Sequence, residues 1–397
     1  MKWSTIANEE EAVNKIRYIL KRIYHFIDKN SSYTPYGLLG GYCGSLLFLY
    51  YYYNYTKKED SLQLLYNKIE LLFSKMPEIP SASFCNGYAG IGWLLRFLHK
   101  ENIITCSDIN DVLSEIDFIV YNHYLYNIQN HDFLHGGLGM AYYLVNCDTP
   151  YKTKVMESYI ESLNHSKIVN SDNSCMWISD TYVNYEKIGQ VYNLSLSHGM
   201  AGIISFLLRC VQYDNFKAKS LLKQVVLFYM NNTNPPTYFS TFPKWITPQN
   251  ERTESALSWC YGDPGIGCAL YKAGTVLGDS KLVKLAIQTL EKCAFRISNE
   301  SSKVYEANFC HGSSSLCHIN QYIYQQTQIP CFKKAAIFWL NATISKCCNG
   351  YYAGYELPDL NQYSNPVSLL TGLSGVGLTL LAAIYNKFPT WNECVLL

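Results

Sequence analysis

Reactive side chains stand close together at two places in the second half of the chain. Cys310 and His311 are adjacent in NFCHGSSS at residues 308–315, and Cys260 lies in WCYGDPG at residues 259–265. Adjacent cysteine and histidine are an unusual choice for a core, because their polar atoms would need partners there. Two thiolates and an imidazole are the ligand set of a catalytic zinc site that keeps its fourth position open. The pattern indicates metal binding, provided that the fold brings the two places together.

A second group of residues is suited to moving protons. His198 lies in SLSHG, and Asp132 lies in HDFLHGGLG between His131 and His135. A histidine beside a metal is a typical acid–base group, and a carboxylate can orient it or share its proton. A short carboxylate four residues before a glycine is explained equally well as a helix N-cap. The roles of His131 and His135 stay open at this point.

All of these residues lie beside a glycine step that recurs along the chain. A Gly-x-x-Gly step or a degenerate copy of it, followed by an apolar run, begins at Gly41, Gly87, Gly136, Gly199, Gly262, Gly312 and Gly372. Amphipathic stretches, such as residues 9–28 and 281–297, lie between the steps. Each of the seven units therefore predicts an amphipathic outer helix, a loop, the glycine step and a nearly uncharged inner helix.

Seven helical hairpins of this kind predict an all-α fold, an α/α toroid formed by residues 1–397 as a single domain. Inner helices that are apolar on every side must be covered all round, which a closed ring achieves, whereas an open solenoid would need polar terminal helices. The apolar last unit at residues 372–384 favours closure. Equivalent glycine steps would share one end of the ring, so Cys260 in unit five should approach Cys310 and His311 in unit six. Cys85, in unit two, should lie across the ring.

Composition excludes several classes of function. The chain has 397 residues, of which 48% are hydrophobic and 16% charged, and 32 basic residues balance 31 acidic ones. This balance gives no electrostatic basis for binding nucleic acid. The amphipathic N-terminus lacks a signal-peptide pattern, so the fifteen cysteines are interpreted as reduced thiols in the cytoplasm. Residues 36–53 carry no charge and are nearly long enough to span a membrane. Because the same pattern of glycines followed by apolar residues recurs along the chain, a buried helix is the favoured interpretation.

Three motifs together resemble those of a known family. SHG around His198, WCYGDPG at residues 259–265 and CHG at residues 310–312, in this order, are similar to the lanthionine synthetase C-like proteins, the lanthipeptide cyclases. The resemblance spans essentially the entire chain through the seven glycine units. It implies a toroid that holds one Zn²⁺ through Cys260, Cys310 and His311, with His198 and Asp132 acting near the metal.

The resemblance also implies a reaction. A substrate cysteine, activated as a thiolate by zinc, would add to dehydroalanine or dehydrobutyrine in the same peptide and form a thioether ring. His198 or a neighbouring acid would protonate the resulting enolate. Trp259 and Tyr261 are the predicted substrate contacts, and the aromatic loops 231–255 and 348–366 should face the same mouth.

The expected partners are a dehydrated precursor peptide, a lanthipeptide dehydratase and a peptide exporter, in the cytoplasm or at the inner face of the membrane. The sequence departs from the family at one position. Many members carry an arginine four residues before the first zinc cysteine, where this chain has Ala256. Arg252 and Arg209 are candidate substitutes.

Two other functions fit a zinc-binding toroid. Prenyltransferases of this architecture activate a thiol with zinc, but their site usually includes an aspartate ligand. Toroidal terpene cyclases use a DDxxD run, which this sequence lacks. A zinc-bound scaffold that carries peptides without reacting is the third hypothesis, and Ala256 is the residue that favours it.

Overall fold

The computed structural model describes residues 3–29, 35–183, 186–349, 351–352, 355–356 and 366–397. Within these ranges the chain is mainly α-helical, as predicted, and two kinds of helix alternate along it. The first kind is amphipathic and comprises α1 (Glu10–Lys29), α3 (Glu59–Lys75), α5 (Ile109–Asn127), α7 (Lys152–Ser166), α9 (Phe216–Asn231), α11 (Ser280–Phe295) and α14 (Pro330–Cys348). In α1 the buried residues follow the helical period, as at Ile16, Leu20, Ile23 and Ile27.

Helices of the second kind each begin directly after a glycine step. They are α2 (Cys43–Thr56), α4 (Tyr88–Lys100), α6 (Gly137–Asn146), α8 (Met200–Val211), α10 (Asp263–Leu277), α13 (Ser313–Thr327) and α15 (Leu373–Ile384). Their first two turns are buried on all faces, and in α2 every residue from Cys43 to Tyr52 is buried. A short helix, α12 (Asn299–Ser302), and 3₁₀ turns at Met76–Glu78 and Thr390–Val395 complete the helical part.

The chain divides into two compact units. The first consists of Met1–Ile109, Val304–Val395 and Leu397, and the second of Asn110–Lys303 and Leu396. In the first unit α13 contacts α15, α15 contacts α2, and α2 contacts α4, so the last inner helix packs against the first. In the second unit α8 lies between α6 and α10. Inner helices thus contact their sequence neighbours in both units, and the expectation of a single domain stays a prediction.

Short strands interrupt the helical pattern. In the second unit β1 (Ile168–Val169) pairs with β2 (Cys175–Met176), and β3 (Ile178–Val183), β4 (Glu186–Asn193), β5 (Pro243–Ile246) and β6 (Arg252–Glu254) form an antiparallel sheet in that order. The register of β4 and β5 places Asn193 opposite Trp245. A further pair consists of β7 (Tyr351–Tyr352) and β8 (Tyr355–Glu356).

The sheet corrects part of the sequence interpretation. The segment 231–255 was expected to be a long loop, but β5 and β6 occupy two parts of it. These strands have only three to eight residues, so the alternation of apolar and polar side chains along them is too short to be recognised in the sequence. Most of the second expected loop, 348–366, lies outside the described residues.

Two further expectations concern the apolar stretch and the cysteines. No helix in the described ranges combines the length and the apolar character needed to cross a membrane. The apolar stretch at residues 36–53 instead supplies α2, which is buried within its unit. All fifteen cysteines are free thiols, and most of them are buried.

Candidate metal centre and acid–base pair

The turns that precede six of the inner helices share one construction, and the turn before α2 has Gly37 at the corresponding position. The side chain four residues before the glycine accepts a hydrogen bond from the backbone N–H just before that glycine, at distances of 2.8–3.3 Å. The accepting residues are Ser83, Asp132, Ser195, Ser258, Asn308 and Ser368. These bonds satisfy N–H groups that have no partner inside the helix and hold each turn in one conformation.

Backbone hydrogen bonds also join neighbouring turns within each unit. The carbonyl oxygen of Cys260 accepts from the N–H groups of Leu196 at 3.0 Å and Ser197 at 3.3 Å. In the other unit the N–H of Cys310 donates to the carbonyl of Leu370 at 2.8 Å. The backbone of each cysteine that the sequence singled out is therefore tied to a neighbouring turn.

Close backbone packing explains one glycine of the WCYGDPG motif. A Cβ atom on Gly265 would lie 2.2 Å from the carbonyl oxygen of Trp259, far inside van der Waals contact. The first turn of α10 can therefore approach the Trp259–Cys260 backbone only because residue 265 has no side chain.

The predicted metal ligands lie together. Ligand atoms of Cys260, Cys310 and His311 are all within 4.8 Å of one another, and Cys85 is not part of this cluster. Among the described residues this is the only group of three or more potential ligands of its kind. Cys260 is buried, Cys310 is half-buried and His311 is exposed, so the cluster opens towards solvent on the histidine side.

The cluster fits zinc. Two zinc–sulfur bonds of ~2.3 Å at a tetrahedral angle place their sulfur atoms ~3.8 Å apart, and the ligand atoms here all lie within 4.8 Å of one another. The Nε2 atom of His311 lies 3.3 Å from a carboxylate oxygen of Glu306 and 3.2 Å from the Asn308 amide nitrogen. A carboxylate against one ring nitrogen is the usual support of a zinc-bound histidine. Glu306 lies five residues before His311, outside the motifs that the sequence analysis considered.

His198 and Asp132 form a direct pair. The Nδ1 atom of His198 lies 2.6 Å from Oδ2 of Asp132, and each side chain is 24% exposed. The other carboxylate oxygen, Oδ1, accepts the backbone N–H of His135 at 2.8 Å. Asp132 is therefore not the N-cap of α6, which is Gly136, but its Oδ1 atom closes the turn before that helix, and its Oδ2 atom is free to orient His198.

The pair alters the proton affinity of both groups. Burial favours neutral His198, but the charge of Asp132 and its hydrogen bond outweigh burial and raise the pKa of His198 above 6.5. Burial also favours neutral Asp132, yet His198 and the His135 N–H lower the pKa of Asp132 below 3.8. An imidazolium–carboxylate pair is thus favoured at mildly acidic pH.

The two other histidines of this region have different surroundings. His131 contacts the hydroxyl oxygens of Tyr159 at 2.9 Å and Ser166 at 3.1 Å, and burial lowers its pKa to about 4. It is a neutral structural residue. His135 is stacked on His198 with ring centroids 6.1 Å apart and is itself exposed.

Aromatic rings surround His198 on the side of the WCYGDPG motif. The ring of Tyr261 lies 5.3 Å from that of His198, and Trp245 of β5 meets Tyr261 edge-on at 6.4 Å. Tyr261 is half-buried, whereas Trp259 is fully buried. Of the two predicted substrate contacts, only Tyr261 presents a surface, and Trp259 supports the turn from within.

Asp263 of the same motif was missed as a functional candidate. Its carboxylate oxygens accept the N–H groups of Thr241 at 2.6 Å and Phe242 at 2.9 Å, just before β5. Arg296 lies 3.8 Å away. Complete burial raises the pKa of Asp263 to about 6, although the two N–H donors and Arg296 oppose this shift. Asp263 ties the start of α10 to the start of β5.

Neither arginine considered as a substitute at Ala256 reaches His198. The guanidinium of Arg252 donates to the carbonyl oxygen of Thr233 at 2.9 Å and to Asn232 at 3.2 Å. Arg209 stands in the last turn of α8, about 13 Å along the helix from the turn that carries His198.

Comparison with known proteins agrees with this architecture. A solved structure named nisin cyclase is similar to this chain with a TM-score of 0.73 and 19% sequence identity, and the match covers 98% of each chain. At this identity the likeness shows the fold, and it confirms the predicted α/α toroid. The family model for "Lanthionine synthetase C-like protein" matches residues 32–396, nearly the whole sequence. The chain therefore belongs to the lanthionine synthetase C-like family.

Proposed function

We propose that this protein is a zinc-dependent lanthipeptide cyclase. It adds cysteine thiolates of a dehydrated precursor peptide to dehydroalanine or dehydrobutyrine and forms lanthionine or methyllanthionine rings. The observation that carries the proposal is the cluster of Cys260, Cys310 and His311, in a family member that also has an acid–base pair. Similarity to a structure named nisin cyclase supports the same reaction class.

Cys260, Cys310 and His311 would hold the metal. When bound, zinc with three protein ligands leaves one position for a substrate sulfur and lowers the pKa of that thiol. Backbone hydrogen bonds fix the turn that carries Cys260 and the turn that carries Cys310, so each cysteine is held in one backbone conformation. Glu306, 3.3 Å from Nε2 of His311, would orient the imidazole ring.

The addition itself needs a proton at a carbon atom. The new C–S bond forms as the C=C π bond breaks, and its electron pair moves onto the neighbouring carbonyl oxygen to give an enolate. Because Asp132 holds Nδ1 of His198, the proton on Nε2 is the one available for transfer to the α-carbon. His198 then takes up the proton that the substrate thiol releases, so protons balance over one turnover.

Recognition of the peptide would depend on short-range contacts. With 32 basic and 31 acidic residues, the protein offers no strong long-range field for a charged substrate. Tyr261 and Trp245 provide aromatic surface beside His198. A dehydratase must act first, because dehydroalanine and dehydrobutyrine arise by loss of water from serine and threonine. We place the reaction in the cytoplasm, at the inner face of the membrane where an exporter would collect the product.

Metal content and free thiols test this function together. The wild-type protein should contain about one zinc per chain. Incubated with its dehydrated precursor, it should remove free thiols without changing the mass of the peptide, as alkylation and mass spectrometry would show. Cys310→Ala should abolish both properties. Cys85→Ala is the matched control, because Cys85 occupies the equivalent place in another hairpin outside the cluster, and it should retain both.

Other outcomes would identify the competing functions. Zinc and peptide binding without loss of thiols would mean a scaffold. Loss of thiols only when a prenyl diphosphate is added, with the corresponding gain in mass, would mean prenyl transfer. Full zinc occupancy of Cys310→Ala would contradict the metal site itself.

A further inference from the structure

A positive charge lies beside the acid–base pair at a position that no motif indicated. Lys244, in β5, has its ammonium nitrogen 4.0 Å from the centre of the Trp245 ring and 4.9 Å from the centre of the Tyr261 ring. The same Tyr261 ring contacts His198. Lys244 and His198 therefore both contact the ring of Tyr261.

The backbone of Lys244 is fixed on both sides. Its carbonyl oxygen accepts the N–H of Leu194 at 3.3 Å, four residues before His198. Two residues upstream, the N–H of Phe242 donates to the buried carboxylate of Asp263. The position of the lysine is thus coupled both to the His198 turn and to the WCYGDPG motif, which also carries Cys260.

The ammonium has no carboxylate partner among the residues that the structure describes. It is half-buried, and burial lowers the pKa of Lys244. Aromatic faces attract a cation only weakly compared with an oxyanion in a partly desolvated site. An ammonium group that contacts only aromatic rings is therefore able to bind an oxyanion that forms beside it.

Thioether formation creates such a charge. When sulfur adds to the β-carbon, the electron pair of the C=C bond is transferred to the carbonyl oxygen, and the α-carbon is protonated in a separate step. An enolate thus requires a cation or hydrogen-bond donor at oxygen and an acid at carbon. The proton on His198 can serve only one of these atoms at a time.

We propose that Lys244 stabilises the enolate oxygen during ring formation, while His198 protonates the α-carbon. This role rests on the proposed cyclase function. Lys244 donates a hydrogen bond from its ammonium to the oxygen and keeps its proton, so the electron and proton balance of the reaction is unchanged. Lys244 thereby acts as a catalytic residue, and Asp263 as a positioning residue that holds β5.

The test compares Lys244→Gln and Lys244→Arg with the wild-type protein. A third variant, Lys284→Gln, removes the same charge from the exposed face of α11 and is the matched control. Each protein is loaded with zinc, and cyclisation of the dehydrated precursor is followed under single-turnover conditions. Affinity for the undehydrated peptide is measured separately by fluorescence anisotropy, since this peptide binds but cannot react. Zinc content of all variants is determined in parallel.

Lys244→Gln should lower the single-turnover rate about 100- to 1000-fold, the usual effect of removing one oxyanion donor. Peptide affinity and zinc content should not change, because the interaction exists only once charge develops. Lys244→Arg should keep most of the rate, and Lys284→Gln all of it. A wild-type rate in Lys244→Gln would overturn the proposal while leaving the cyclase function intact. A loss of peptide affinity with an unchanged rate would assign Lys244 to binding instead. Absence of ring formation in the wild-type protein would refute both proposals.

Discussion

At the scale of single residues, Asp132 shows how a structural position can also carry chemistry. Five equivalent turns are capped by serine or asparagine, so the fold needs only a neutral hydrogen-bond acceptor at this place. A carboxylate also brings a negative charge and a second acceptor oxygen, which the turn does not use. Its second oxygen contacts His198, and this contact explains why the residue is an aspartate.

Replacing Asp132 with asparagine should separate its two roles. Asn308 caps its own turn, so an asparagine at 132 should retain the hydrogen bond from His135 and lose only the stability that the contact with His198 adds. The pKa of His198 should fall, because Asp132 is what raises it. NMR titration of the His198 ring protons would measure this shift, and zinc content should be unaffected. An unchanged His198 pKa would refute the ion pair.

The same variant should change the pH dependence of stability. In the wild-type protein the lowered pKa of Asp132 adds stability above pH 3.8 that is lost in acid. The raised pKa of His198 adds stability below pH 6.5 that is lost as the pH rises through the raised value. The pair therefore stabilises most between these two limits. Ser83→Ala, which removes a cap in another hairpin, should lower stability without this pH profile.

What the sequence revealed at this scale was the residues with distinctive chemistry. Cys260, Cys310 and His311 stood out because thiols and imidazoles beside glycine are rarely needed for packing. Lys244 and Asp263 did not stand out, because a single lysine or aspartate has many ordinary uses. Only the pairing of β5 with β4 and the buried contacts of Asp263 show where they act.

At the scale of elements, the turn before each inner helix is the unit that positions the site. Its capping side chain, its glycine and its backbone bonds to the next turn recur along the chain. The glycines and the helical period were readable from the sequence, so the inner helices and their starts were predicted correctly. The sheet was not, because its strands are short and paired residues such as Tyr192 and Ile246 are far apart in the sequence.

Gly265→Ala should distort the metal site by displacing the backbone at the start of α10. The added Cβ would meet the Trp259 carbonyl oxygen, a backbone atom that cannot rotate away. We expect a loss of about 1–3 kcal/mol or more in stability, seen as a lower thermal midpoint, and weaker zinc binding because the Cys260 backbone must shift. Gly189→Ala is the control, since its nearest neighbour would be Thr181 Oγ1 at an ordinary 3.7 Å. Equal behaviour of both variants would contradict the close approach.

At the scale of the whole molecule, the fold and the metal site are supported by different interactions. The inner helices are buried by apolar packing, and the turns are capped by protein side chains. None of these contacts needs a metal. The α/α toroid should therefore form first and present a prepared set of ligands.

Removing zinc should lower thermal stability without unfolding helices. A ligand that binds only the native state adds about 4 kcal/mol when its free concentration is a thousand times its dissociation constant. Chelation should thus reduce the thermal midpoint of the wild-type protein while its far-UV circular dichroism at 25 °C stays the same. The midpoint of Cys260→Ala should not respond to zinc. Loss of helical signal on chelation would show that the metal is needed for folding.

The shared turn cap has a consequence for how such a site could originate. Asparagine and aspartate codons differ by one nucleotide, and serine and asparagine codons can also differ by one. A cap that tolerates all three residues lets a carboxylate appear beside a neighbouring histidine by single-base steps, with little harm to the scaffold. Each of these six turns is thus a place where a single-base change can introduce an acidic residue, and position 132 carries one.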